Sequence, residues 1–102
     1  MSIKVNNSSD GKSVTIAVSG SFQFSLHREF RDSYASITQS GTEFRINLSA
    51  TEYMDSSALG MLLLLKEHAT KHQGSVVIAG VTPAIRRVLE IASFDKLFRI
   101  EA

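Results

Sequence analysis

The chain has 102 residues, 43% of them hydrophobic and 21% charged, the proportions of an ordinary folded protein of one domain. Its 11 basic and 10 acidic side chains nearly cancel, which excludes the concentrated positive field that nucleic acid or an anionic membrane surface selects. With no cysteine, a disulfide framework and a thiolate metal site are excluded too, and a reducing cytoplasm is the expected setting.

Ile3 and Val5 alternate with polar neighbours, as do Val14, Ile16 and Val18, and the turn formers Ser9-Asp10-Gly11 lie between. That pattern predicts a β-hairpin with one buried face. Gly20 to Ser25 reads as a loop. Leu26, Phe30, Tyr34 and Ile37 then recur at helical spacing, and Gly41 is the expected stop. Phe44, Ile46 and Leu48 predict the third strand, and Ser49 to Asp55 the turn that follows it.

From Ser56 to His72 the chain is leucine-rich, almost unbroken from Ala58 to Leu65. Length and composition favour a helix, apolar nearly all round and so covered on more than one side, with Gly74 as its end. The longest apolar run, Met61 to Leu65, is far short of the roughly 20 residues a membrane crossing needs. Residues 1 to 7 hold no secretory apolar stretch, so direct membrane insertion is not expected. Ser75 to Ala79 is a continuous β-branched run that reads as a strand buried on both faces. Thr82-Pro83 opens a last helix, with a capping hydroxyl and a proline where no N–H is needed; Ile85, Val88, Leu89 and Ala92 form its inner stripe. Leu97, Phe98 and Ile100 suggest a closing strand. The order β-β-α-β-α-β-α-β predicts an α/β fold, a mixed but mostly parallel sheet with helices packed against it.

Function in such folds sits at strand-to-helix turns, which directs attention to Ser49–Asp55 and the helix start. Asp55 and Ser56 fall where an N-cap belongs, and capping is one role open to them. The other is phosphate acceptance by a serine hydroxyl, since a helix N-terminus tolerates the added charge. Elsewhere the signals are weak. His68 and His72 have a spacing that can hold a metal, but with no third ligand in sight they read as solvated helix-end residues. Arg86 and Arg87 read as an exposed helix face. No phosphate loop and no hydrolase-like serine, histidine and acid pattern occurs, so neither catalysis nor a cofactor is expected.

The stretch Tyr53-Met54-Asp55-Ser56-Ser57-Ala58-Leu59-Gly60 resembles the phosphorylation motif of STAS domains, in particular the bacterial anti-sigma-factor antagonists. The likeness extends to Val81–Leu89 and Ser93–Phe98 and makes residues 1–102 one STAS domain. It implies that Ser56, less readily Ser57, is phosphorylated by a serine kinase of the histidine-kinase-like ATPase fold, often the anti-sigma factor itself. It further implies that a PP2C-type phosphatase reverses the step and that the unmodified form binds the anti-sigma factor. Phe22, Gln23, Met54, Asp55, Ser56, Ser57, Ala58 and Gly60 are then the expected partner contacts, although spacing alone favours core packing for Phe22 and Phe24. Two departures stand out. Gly20-Ser21-Phe22-Gln23-Phe24 replaces an acidic family pattern, and Ala58 replaces a glycine, bringing a methyl group that crowds an approaching partner. A STAS subunit of a lipid-transporting ABC system is the nearest alternative, and a nucleotide-binding or enzymatic switch a more distant one.

Overall fold

The computed structural model describes residues 2–101. Five strands, β1 (Ile3–Asn7), β2 (Ser13–Val18), β4 (Glu43–Asn47), β6 (Ser75–Ala79) and β7 (Arg99–Ile100), form one sheet in the order β1-β2-β4-β6-β7. Only β1 and β2 run antiparallel; their register, Ile3 opposite Val18 and Val5 opposite Ile16, is that of the predicted hairpin. The helices are α1 (His27–Tyr34), α2 (Ser56–Lys71) and α3 (Pro83–Ile91). The α/β class, the mostly parallel sheet and the packed helices are therefore as the periodicity predicts.

Two strands were not legible in the periodicity. Gly20–Phe22 (β3) and Thr51–Met54 (β5), both read as loop, pair in parallel as a separate two-stranded sheet. They hold only 3 and 4 residues, too few to display alternation. Gly20, at φ +77°, lets the chain turn out of β2, and the pairing register shifts just after it. The Thr51 hydroxyl, buried, donates to the Val18 carbonyl at 2.7 Å and fastens the small sheet to the large one.

The core lies on one face of the main sheet. Val14, Ile16 and Val18 of β2 and Phe44 and Ile46 of β4 are buried there beneath α1 and α2. Val76, Val77 and Ile78 are all buried, but Val77 is not under a helix stripe. It stands in register between Arg45 and Arg99, whose guanidinium groups meet Glu101 at 2.7 and 3.2 Å, so ion pairs cross that second, polar face. Val5, expected inside, is half exposed on the edge strand. Helix α1 ends at Tyr34, earlier than Gly41. The closing strand keeps only Arg99 and Ile100; Leu97 is exposed and Phe98 buried behind a 3₁₀ turn at Phe94–Lys96.

Helix α2 buries Ala58, Met61, Leu62, Leu65 and Ala69 against β6, β5 and α1. It is thus covered on more than one side, as expected, while its remaining side is open and Leu63 and Leu64 face solvent. The helix ends in a Schellman turn, with the Gly74 N–H on the Ala69 carbonyl at 2.7 Å and the Gln73 N–H on Thr70 at 3.1 Å. The left-handed residue is Gln73, φ +55°. Gly74 is required for another reason, since a Cβ there would overlap the Thr42 main-chain carbonyl. Gly74→Ala is expected to destabilise the protein by about 1–3 kcal/mol, the usual cost of overpacking. An unchanged thermal midpoint would refute the close approach.

Candidate functional site

The site forms where β3, β5 and the start of α2 converge. Asp55 is the N-cap of α2, with extended backbone, and its Oδ1 accepts from the Ala58 N–H at 2.9 Å. Its Oδ2 accepts from the Phe24 N–H at 3.3 Å, and its own N–H donates to the Phe22 carbonyl at 3.2 Å. One carboxylate thus satisfies an orphan helix donor and ties the Gly20–Phe24 segment to the helix start. Asp55→Ala is expected to cost about 0.5–2 kcal/mol, the range for a lost cap, and Asp55→Asn far less; thermal melts of the pair check this.

Because Asp55 carries the cap, Ser56 does not. Ser56 is the first residue of α2, exposed, and its hydroxyl makes no hydrogen bond among the described residues. Ser57 is half-buried beside it. One turn on, Gly60 is exposed, and a Cβ there would meet nothing within 4 Å, so the surface beside Ser56 is open and smooth. Ser56 stands in the first turn of α2, so it shares the positive potential of a helix N-terminus. The arrangement leaves a primary hydroxyl free, reachable, and set where an added dianion is tolerated.

The expected partner contacts separate by burial. Gln23, Ser56 and Gly60 are exposed and Asp55 and Ser57 half-buried, all around the α2 start. Phe22 is 0% exposed, its ring 5.1 Å from that of Phe30, so it is a core residue and the expectation of direct contact there is corrected. Ala58 and Met54 are buried as well. They support the surface from behind, and the Ala58 methyl points into the core, away from an approaching partner. Two aromatics take up the outward role. Phe24 is 62% exposed, stacked on His27 at 5.0 Å with rings 3° from parallel, and Tyr53 is 55% exposed. For Tyr53 the sequence held no usable signal, because β5 lacks alternation.

The other candidates resolve locally. His68 is not solvated as expected: it is half-buried against Tyr34 and Phe44, with Nε2 2.7 Å from the Ile37 carbonyl. His72 packs beside it at 4.8 Å. Among the described residues no group of three or more potential metal ligands gathers. Arg86 pairs with Glu90 one turn on at 3.7 Å, and Arg87 is exposed. No helix among the described residues is long and apolar enough to cross a membrane.

Residues 5–100 match the family model described as Mlab, STAS domain. A STAS-domain containing protein of Pseudomonas aeruginosa (strain UCBPP-PA14) is 39% identical over 100 residues, spanning 98% of this chain and 99% of that protein. Of the solved structures, an anti-sigma factor antagonist from Mycobacterium paratuberculosis aligns with a TM-score of 0.79 at 24% identity, covering 97% of this chain and 83% of that one. The Bacillus cell fate determinant SpoIIAA in its phosphorylated form aligns at 0.68 and 15%, covering 98% and 90%. At these identities the two structures establish a shared fold.

Proposed function

This chain belongs to the STAS domain family, and from that premise we propose that it is a phosphorylation-controlled antagonist of an anti-sigma factor. The unmodified form binds an anti-sigma factor that is also a serine kinase of the histidine-kinase-like ATPase fold. Phosphorylation of Ser56 releases it, and a PP2C-type phosphatase restores the binding form. The protein is the passive substrate of both enzymes, in the cytoplasm, without cofactor. The observation that carries this reading is the division of labour at the start of α2: Asp55 holds the cap, which leaves the exposed Ser56 hydroxyl with no structural task.

The chemistry follows from that placement. The kinase transfers the γ-phosphoryl group of ATP to the Ser56 oxygen: the bond from the γ-phosphorus to the ADP oxygen breaks, ADP leaves, and the hydroxyl proton passes to a base of the kinase. The phosphoserine then carries about −1.5 to −2 charges, stabilised at the helix N-terminus by about 0.3–1 kcal/mol, so the fold survives. The docked partner does not, because its face over Ser56 must now accommodate a dianion. Gln23, Asp55, Ser57 and Gly60 form the contact surface around the acceptor, and Phe24 and Tyr53 are its aromatic anchors.

Intact-mass and fragment spectrometry test the assignment. Purified protein with ATP alone is expected to stay unmodified, and protein with the kinase recovered from its own cells to gain one phosphate, on Ser56. Self-labelling would overturn the passive role, and phosphate at another residue would overturn the site. Recovery of an ABC ATPase and no serine kinase would favour the transporter subunit.

A further inference from the structure

A groove of about 510 Å³ runs between α1 and α2. Its floor is apolar, with Phe30 and Met61, and Leu64 stands on its rim 55% exposed, next to the equally outward Leu63. Arg31 of α1 and Lys71 of α2 line it, and neither enters an ion pair among the described residues. Glu67 is the one carboxylate on the lining.

Tyr34 also lines the groove. The residue is only 5% exposed, while its hydroxyl, which solvent reaches, has no protein hydrogen-bond partner among the described residues. Burial pushes its phenol above the ordinary value, against the opposing charge of Arg31, so the group stays a donor at neutral pH. The groove therefore offers two free cations and one free O–H donor around an apolar floor: the complement of an amphipathic segment bearing carboxylates.

Leu63 and Leu64 decide the size of the occupant. A small amphipathic anion would fill the floor and leave both leucines wet, whereas a helix laid along α2 covers them. On α2, Leu64, Glu67 and Lys71 follow at helical spacing along the groove, so such a helix would lie on one continuous stripe. From this complementarity we infer that the α1/α2 groove is a docking site for an acidic amphipathic helix of a partner protein. The inference does not depend on phosphorylation of Ser56.

The probe is a fluorescein-labelled synthetic amphipathic helix with a leucine stripe and a glutamate polar face, compared with a twin in which lysine replaces each glutamate. Anisotropy titrations with the intact chain are expected to show the glutamate peptide binding at least about tenfold tighter, with amide shift changes concentrated at Arg31, Tyr34, Leu64 and Lys71. The double variant Arg31→Glu, Lys71→Glu, both at exposed positions, is expected to invert the preference, and Leu64→Ala to weaken both peptides while the circular dichroism spectrum stays unchanged. Equal affinity for the twins, no saturable binding, or shift changes confined to the sheet would overturn the inference. So would saturation of the same amides by dodecanoate but not by the peptide, or a dimer of the chain formed through these residues. Phosphorylation of Ser56 is scored separately, so failure here leaves that assignment standing.

Discussion

Ser56→Ala is expected to bind the anti-sigma partner as tightly as the parent and to keep it bound in the presence of ATP. The phosphorylated parent is expected to lose about three orders of magnitude in affinity. Two like unit charges 4 Å apart cost on the order of 4 kcal/mol at an effective dielectric near 20, and each ~1.4 kcal/mol is tenfold in binding. Ser56→Asp carries one charge on a shorter arm, so it stands farther from the partner's charge; at about 6–8 Å the same expression gives ~2–3 kcal/mol, roughly a thirty- to hundredfold loss. The same alanine variant separates capping from acceptance. Were the hydroxyl a cap, its removal would cost ~1 kcal/mol of stability; with Asp55 in that role, the thermal midpoint is expected to stay within the scatter of surface substitutions, about 0.5 kcal/mol. Calorimetric titration of the three forms, with melts in parallel, measures both. If all three forms bound alike, Ser56 would not be the switch.

The features that sequence reading captured are those with a long repeat or a strong local signal. Helix α2 is 16 residues long and leucine-rich, and β6 carries three consecutive β-branched residues, Val76, Val77 and Ile78. The Thr82 hydroxyl caps α3, accepting from the Ile85 N–H at 3.3 Å, with Pro83 at the first helical position. What escaped depends on contacts between distant segments. The pairing of β3 with β5 joins residues about 30 apart in sequence, and neither strand declares itself alone. Which side of α2 is covered depends on where α1 lies, so a run of five apolar residues could not show that Leu63 and Leu64 stay outside.

The site itself was half legible. The motif located Asp55 and Ser56, but chemistry left capping and acceptance open between them. The assignment turned on the Ala58 N–H, which donates to Asp55 and not to Ser56. The second Asp55 bond, to the Phe24 N–H 31 residues away, explains why the loop departing from the family pattern is not a free variable. Its backbone is fixed by Asp55 whatever side chains it carries, so substitutions there alter the surface presented to a partner without loosening the helix start.

That separation of backbone from side chain yields a sharp contrast between two phenylalanines two residues apart. Phe22→Ala removes a fully buried ring from its contact with Phe30 and is expected to cost about 3–5 kcal/mol. That is a large share of the ~5–15 kcal/mol that holds a domain together, and at roughly 4–8 °C per kcal/mol the melting midpoint falls by tens of degrees. Phe24→Ala removes an exposed ring whose main-chain N–H still reaches Asp55, so stability is expected to change by no more than about 0.5 kcal/mol. Its effect belongs to binding: as an exposed aromatic anchor beside Ser56 it is expected to cost the partner complex about 2 kcal/mol or more, some thirtyfold in affinity. Melting curves and titrations on the two variants therefore should give opposite results. A Phe24→Ala protein that binds normally would remove the aromatic anchor from the interface, and a Phe22→Ala protein that melts like the parent would contradict the buried β3–β5 junction on which the Ser56 site rests.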